Sequence, residues 1–287
     1  TELIERMNRE WRAGIEYVDL YHSGSSTMVT TLKPAGVLAT LKPLLFLPEV
    51  LDPRAWFTGE LPFADKEKEY IFVPLGNPST SIIVNTSLAK PEEIKSYNDL
   101  LNIKWKGKIV MGDPTVPGSA GRWFSAVSYI MSRDYLRKLA EQMPVVTRDR
   151  RLQAEWLAQG KYPLGLAAGF QDVSPFIEAG APLRNITPVE GTYMSGAAGS
   201  IVIIKKAPHP NAAKLFINWY LSREGQTVFS RAHVSHSGRI DVPFDFLPEG
   251  KARDPGGKYI ATENEDFLLA QAEQMKWAQD LMGPLIK

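Results

Sequence analysis

The residues of this 287-residue chain that could do chemistry gather in four short polar stretches, each between an apolar run and a helical pattern. Ser23-Gly-Ser-Ser-Thr27 offers hydroxyls and backbone N–H groups at a helix start, a good seat for an anion. An ordinary Ser/Thr N-cap would look the same, so both readings stand. Asp113-Pro-Thr-Val-Pro-Gly-Ser-Ala-Gly-Arg122 has glycines that let a ligand approach the backbone and an arginine able to fork onto a carboxylate or phosphonate. A surface arginine in a helix's first turn is the plainer reading of Arg122. Thr147-Arg-Asp-Arg-Arg151 sets three arginines at a helix start, which costs roughly a few tenths of a kcal/mol each unless an anion is near. Arg148 is therefore the better candidate cation, with a solvated charge run as its rival. Gly169-Phe-Gln-Asp172 is the fourth stretch.

Many chemistries are excluded. With no cysteine there is no disulfide, thiolate nucleophile or iron–sulfur cluster. Neither G-x-x-x-x-G-K-[ST] nor G-x-S-x-G occurs around these serines, so a Walker loop and a nucleophile elbow are both unsupported. Among the histidines His22, His209, His233 and His236, only the last two are close, and no H-E-x-x-H frame holds them. A structural role fits each best; His22 stands apart because it directly precedes the Ser-Gly-Ser-Ser turn. No metal or other cofactor is expected. Glu92 and Glu93 read as a solvated face. Trp123, Phe170 and Tyr193 fall in or beside the loops and could line a pocket, although core is the commoner fate of aromatics. The 33 basic residues against 32 acidic give no excess to neutralise nucleic-acid phosphates. No apolar run approaches the roughly 18–20 residues that span a bilayer. The residues describe a binder of a small anion rather than an enzyme.

The elements that must position these stretches follow from periodicity. Helices are expected over 1–14, after the polar turn 22–27 through Leu32, over 96–101, from Gly118 onward, and over 147–160 with Thr147 and Gly160 as caps. Others are expected at 173–179, at 211–221 with Ala212, Leu215, Phe216 and Trp219 facing inward, and at 264–282. Strands are expected at 17–21, 70–74, 81–85, 108–111, 162–167, 183–189 and 200–204. Residues 191–199 read as small and flexible, and 244–262 as loop. Strands alternating with helices predict an α/β class with mainly parallel sheets, where ligands gather at strand C-ends.

In order, Glu2-Leu-Ile-Glu-Arg6, Ser23-Gly-Ser-Ser26, Ile103-Lys-Trp-Lys-Gly-Lys-Ile109 and Asp113-Pro114 resemble the solute-binding proteins of ABC importers. The nearest branch resembles the ferric-iron-binding periplasmic proteins. Pro210-Asn-Ala-Ala-Lys-Leu-Phe216 with Leu221-Ser-Arg-Glu-Gly-Gln226 is the most specific signature, and the resemblance runs from residue 2 to about 243. It implies a two-lobed periplasmic-binding-protein fold with two crossing hinge strands near 72–85 and 192–204. The lobes would be 1–80 with 197–287, and an inserted 81–196. Family members carry a strand, a helix and a second strand before the segment matching residues 1–14. These are expected to be missing, as is any signal peptide, so an exported protein would be in mature or trimmed form.

The resemblance also implies a receptor that closes on its solute by hinge motion. It would be a monomer, periplasmic or extracellular, free or lipid-anchored, serving a membrane ABC permease. Ferric-binding members present two adjacent tyrosines where this chain has Ala168-Gly-Phe-Gln171. Phenolate suits hard ferric iron, so its absence favours an organic anion: a small carboxylate, phosphonate or sugar phosphate. The expected ligand-binding residues are Ser25, Ser26 and Thr27 from one lobe. From the other come Thr115, Ser119, Arg122, Arg148, Gln171 and Asp172, with Tyr193 as a lid or stacking group near the hinge. The alternatives are ferric iron on non-tyrosine ligands, a sensor that signals by closure, or an enzyme on the same scaffold using His22 or Asp172.

Overall fold

The computed structural model describes residues 2–79, 81–196, 199–248, 251–254 and 256–286. They form two compact units. The first comprises Thr1–Asn77, Ser195–Leu247 and Glu263–Leu269; the second comprises Pro78–Met194, Pro248–Thr262 and Ala270–Lys287. The lobes expected from sequence give all of 197–287 to the first unit, and the structure corrects this. Tyr259–Ala261, inside the stretch read as loop, pairs in parallel with Thr192–Met194. Trp277 of the C-terminal helix packs 5.0 Å from Phe124. Partners so distant in sequence leave no local mark. The chain therefore changes unit five times rather than twice, and the first two changes, at 77/78 and 194/195, lie within 72–85 and 192–204.

In the first unit Ser200–Ile204 is the middle strand, antiparallel to Leu20–Ser23 on one side and Leu38–Ala39 on the other. The expectation of parallel pairing fails here, because strands brought together from so far apart need no crossover helix between them. Ser200–Ile204 is buried along its whole length. Val202 and Ile204 face a core with Met28, Leu32 and Ile71, while Ile201 and Ile203 face another with Trp56, Phe72 and Ile217. Burial on both faces explains the unbroken apolar run. Residues 70–74 form only bridges, Phe72 to Phe63 and to Ile201, not a strand.

The helix Pro210–Leu221 turns the other way from the one expected. Ala213, Ile217, Tyr220 and Leu221 are buried, whereas Leu215 is 65% exposed and Ala212, Phe216 and Trp219 also face outward. Both stripes have helical spacing. Asn218 decides between them, accepting from Phe46 N at 2.9 Å and donating to Leu44 O at 3.0 Å.

The second unit holds a five-stranded sheet ordered Val145–Thr147, Ile109–Gly112, Leu164–Leu166, Ile82–Asn85, Leu183–Ile186. The first three are parallel; Ile82–Asn85 runs antiparallel to both its neighbours. Thr147, expected as a helix cap, ends a strand instead. The cap is Asp149, whose side chain accepts from Leu152 N at 2.9 Å before the helix Arg150–Ala158. The stretch 191–199, read as flexible, opens with the strand Thr192–Ser195, and Ala197 and Ala198 lie outside the described residues. The helices Arg133–Glu141 and Arg223–His233 are additions to the sequence reading.

Candidate functional site

In the first unit, the chain leaves Leu20–Ser23 through Gly24, whose backbone is extended, and enters a helical stretch over residues 25–32. Ser25 is fully buried and donates its hydroxyl to the Glu263 carboxylate. The other Glu263 oxygen accepts from Gly196 N at 2.9 Å. Ser25 thus ties the helix start to the exit of the Thr192–Ser195 strand, a structural task that the sequence reading missed. Ser26 and Thr27 are half-buried and remain the outward members of the turn.

His22 Nε2 lies 2.9 Å from the Tyr220 hydroxyl, which itself donates to Gly199 O at 2.9 Å. A phenol has one proton to give, so Nε2 carries the hydrogen and donates to Tyr220. Burial, with a smaller push from nearby His233, lowers the His22 pKa. His22 is thus tied through Nε2 to Tyr220 at the surface of the first unit.

In the second unit the C-ends of three adjacent parallel strands, Gly112, Thr147 and Leu166, each run into a loop and then a helix. Those helices are Ser119–Ile130, Arg150–Ala158 and Phe170–Glu178. Gly118 and Gly169, the caps of the first and third, make no side-chain cap hydrogen bond. First-turn N–H groups there receive no acceptor from the cap residue, and they lie at the positive end of the helix dipole. Gly118 sits at φ 145, a backbone that an L side chain rarely adopts. At the third strand's end Ala167 takes φ 57, a left-handed conformation that is costly for a non-glycine residue.

Asp113 is the anchor of this edge and was not singled out from sequence. It is buried, and its Oδ1 accepts from Thr115 N at 2.8 Å and from the Thr115 hydroxyl at 2.6 Å. Its Oδ2 accepts from Arg148 Nε at 2.8 Å, while the Arg148 side chain is 66% exposed. Only Nε of Arg148 is engaged among the described residues, so both terminal nitrogens face outward from a fixed stem. Arg150 pairs with Asp172 through two hydrogen bonds of 2.9 and 3.0 Å, and Arg151 with Glu155. Of the three clustered arginines, Arg150 commits a terminal nitrogen to Asp172, whereas Arg148 and Arg151 are held through Nε alone, and only Arg148 is anchored on a buried carboxylate.

Other expected residues fall into place or out of it. Thr115 spends its hydroxyl on Asp113 and acts by holding it. Ser119 opens its helix, Arg122 is half-buried one turn later, and Gln171 is exposed at the third helix start. Asp172 is committed to Arg150, which removes it as a base. Tyr193 is only 3% exposed, and its hydroxyl lies 3.5 Å from Ser119 O. A lid or stacking role for Tyr193 is thereby corrected: its ring is core, because the strand Thr192–Ser195 is covered by its pairing with Tyr259–Ala261. Among the described residues no group of three His, Asp or Glu side chains could hold a metal ion.

Burial alone would raise the Asp113 pKa, but the hydrogen bonds from Thr115 and Arg148 outweigh it and hold the carboxyl below its ordinary value. A carboxyl with a lower pKa folded than unfolded stabilises the fold above the unfolded value, about 3.9, and loses that as pH falls through the folded one. Acidification below about pH 4 should therefore erode second-unit stability, and Asp113→Asn should flatten that dependence. Urea midpoints measured across this range check it; parallel slopes would clear Asp113 of the role.

The comparisons with known proteins agree with this architecture. A periplasmic binding protein from Actinobacillus pleuropneumoniae with bound fructose-6-phosphate superposes with a TM-score of 0.62 at 20% identity, covering 99% of this chain and 86% of that one. The Trichodesmium FutA protein in complex with iron and citrate gives 0.71 at 18% identity, covering 99% and 87%. Iron-bound HitA from Pseudomonas aeruginosa gives 0.66 at 16%, covering 98% and 87%. The fold is that of the periplasmic binding proteins. The chain belongs to the bacterial extracellular solute-binding proteins, whose family model matches residues 3–234. An uncharacterized protein of Haemophilus influenzae is 32% identical over 219 residues, 69% of this chain; the chain spans 59% of that relative's length. The family is one of extracellular or periplasmic binding receptors, not enzymes.

Proposed function

We propose that the chain is the substrate-binding receptor of an ABC transporter, that it takes a small organic anion, and that it passes it to the membrane permease. The carrying observation is the second unit's strand-end edge, where three helix starts follow the C-ends of adjacent parallel strands with Arg148 fixed among them. Fixed cationic donors and open helix N-termini recognise carboxylate or phosphate oxygens. Arg122, Ser119 and Gln171 would complete that set. Hinge closure, favoured because the ligand binds the closed form better, would be the mechanism. Two neighbouring folds carry iron and one a sugar phosphate; the tyrosine pair that the resemblance implies for ferric iron has no counterpart in Ala168-Gly-Phe-Gln171 of this chain.

A thermal-shift panel of small carboxylates, phosphonates, sugar phosphates and ferric citrate tests the reading. A ligand present at 100 times its Kd adds about 2.7 kcal/mol of stability, an evident rise in melting temperature. A shift with one organic class is expected. A shift with ferric iron alone would overturn the anion assignment.

A further inference from the structure

The second unit contains a cavity of about 530 Å³, within the size range of small-molecule pockets. Its floor includes the buried Val173 and Leu183, and its walls include the half-buried Phe170 and Ile177. Its polar members include Asn185 and Arg184, and no acidic residue lines it. Arg184 is exposed, and no carboxylate among the described residues pairs with it.

Register separates Arg184 from Arg148, although Phe170 at the third helix start also belongs to the cavity wall. Arg184 pairs with Val84, and Val84 with Leu164, which begins the strand whose other end leads to the binding loops. Leu183–Ile186 is the last strand of the sheet and Val145–Thr147, which precedes Arg148, is the first. Four strand spacings put the two edges about 19 Å apart.

We infer that this cavity is a second binding site, for a monocarboxylate with an apolar body. Apolar walls over a core floor take up the hydrocarbon, and Arg184 pairs the carboxylate at the mouth. A cation without an acidic neighbour, beside an apolar cavity, matches an amphipathic anion better than a sugar or a metal. The inference stands apart from which anion the strand-end edge takes.

Decanoate is the probe, titrated calorimetrically into the whole chain. Binding to the wild type is expected, weakened at least tenfold in Arg184→Ala and abolished in Ile177→Trp, whose indole would fill the cavity. Arg148→Ala should bind decanoate as the wild type does. Arg184 is exposed, so its variant keeps the test open should Ile177→Trp fail to fold, which near-ultraviolet circular dichroism reports. Absent binding, equal affinity in Arg184→Ala and wild type, or loss confined to Arg148→Ala would each overturn the assignment.

Discussion

Arg239→Ala is expected to lower the unfolding free energy of the first unit by about 3 kcal/mol, the low end of the range for breaking a buried ion pair. The guanidinium is 1% exposed and uses every nitrogen. Nε and Nη2 fork onto Asp241 at 2.8 and 2.7 Å, Nη2 reaches Glu49 at 3.2 Å, and Nη1 donates to the carbonyls of Glu49 and Leu221 at 3.0 and 3.2 Å. The same group lies 5.4 Å from the centre of the buried Trp56 ring. Removal strands two carbonyls and opens a cavity beside Trp56. Both carboxylates retain solvent, at 46% and 39% exposure, which keeps the loss toward 3 rather than 5. Arg239→Lys should recover only part, since an ammonium cannot fork. Urea unfolding followed by tryptophan fluorescence measures this, and a loss below about 1 kcal/mol would refute the assignment of a buried keystone.

The second large effect is on binding. Arg148→Ala should weaken capture of whichever organic anion raises the melting temperature by more than tenfold, a difference of about 1.4 kcal/mol or more. Its cost in stability should be small, because the side chain is two-thirds exposed and surface pairs contribute about 0–1 kcal/mol. Asp113 keeps both hydrogen bonds from Thr115 when the arginine is gone. Arg148→Lys should fall between the two, keeping charge without the planar fork. Calorimetric titration separates these cases: unchanged affinity in Arg148→Ala removes it from the site, and a matching collapse in melting temperature would make it structural.

The strand-end site was partly legible for a definite reason. A β-run, a Gly- or Ser-rich turn and a helical stripe are local patterns, and their order predicts where backbone N–H groups open toward a ligand. Gly112-Asp-Pro-Thr115 and Ala168-Gly-Phe170 could therefore be placed at strand ends. Which side chains stay available was not legible. Asp172 and Arg150 look alike as candidates until they are seen to pair with each other, and Ser25 looks like an anion donor until Glu263, 238 residues on, takes its hydroxyl. Tyr193 reads as a loop residue between small neighbours, and only its pairing with Ile260 makes it a buried strand residue.

The sequence by itself determined the family, the α/β class and the position of the helix-start loops, because these rest on short-range spacing and an ordered set of motifs. The tertiary structure alone decided strand direction in the first unit, the outward stripe of the Pro210–Leu221 helix and the return of the C-terminal segments to the second unit. Each depends on a partner far along the chain: Ser200–Ile204 for the sheet, Leu44 and Phe46 for Asn218, Phe124 for Trp277. Local periodicity says which faces are apolar; only packing says which of two apolar faces is covered, and by what.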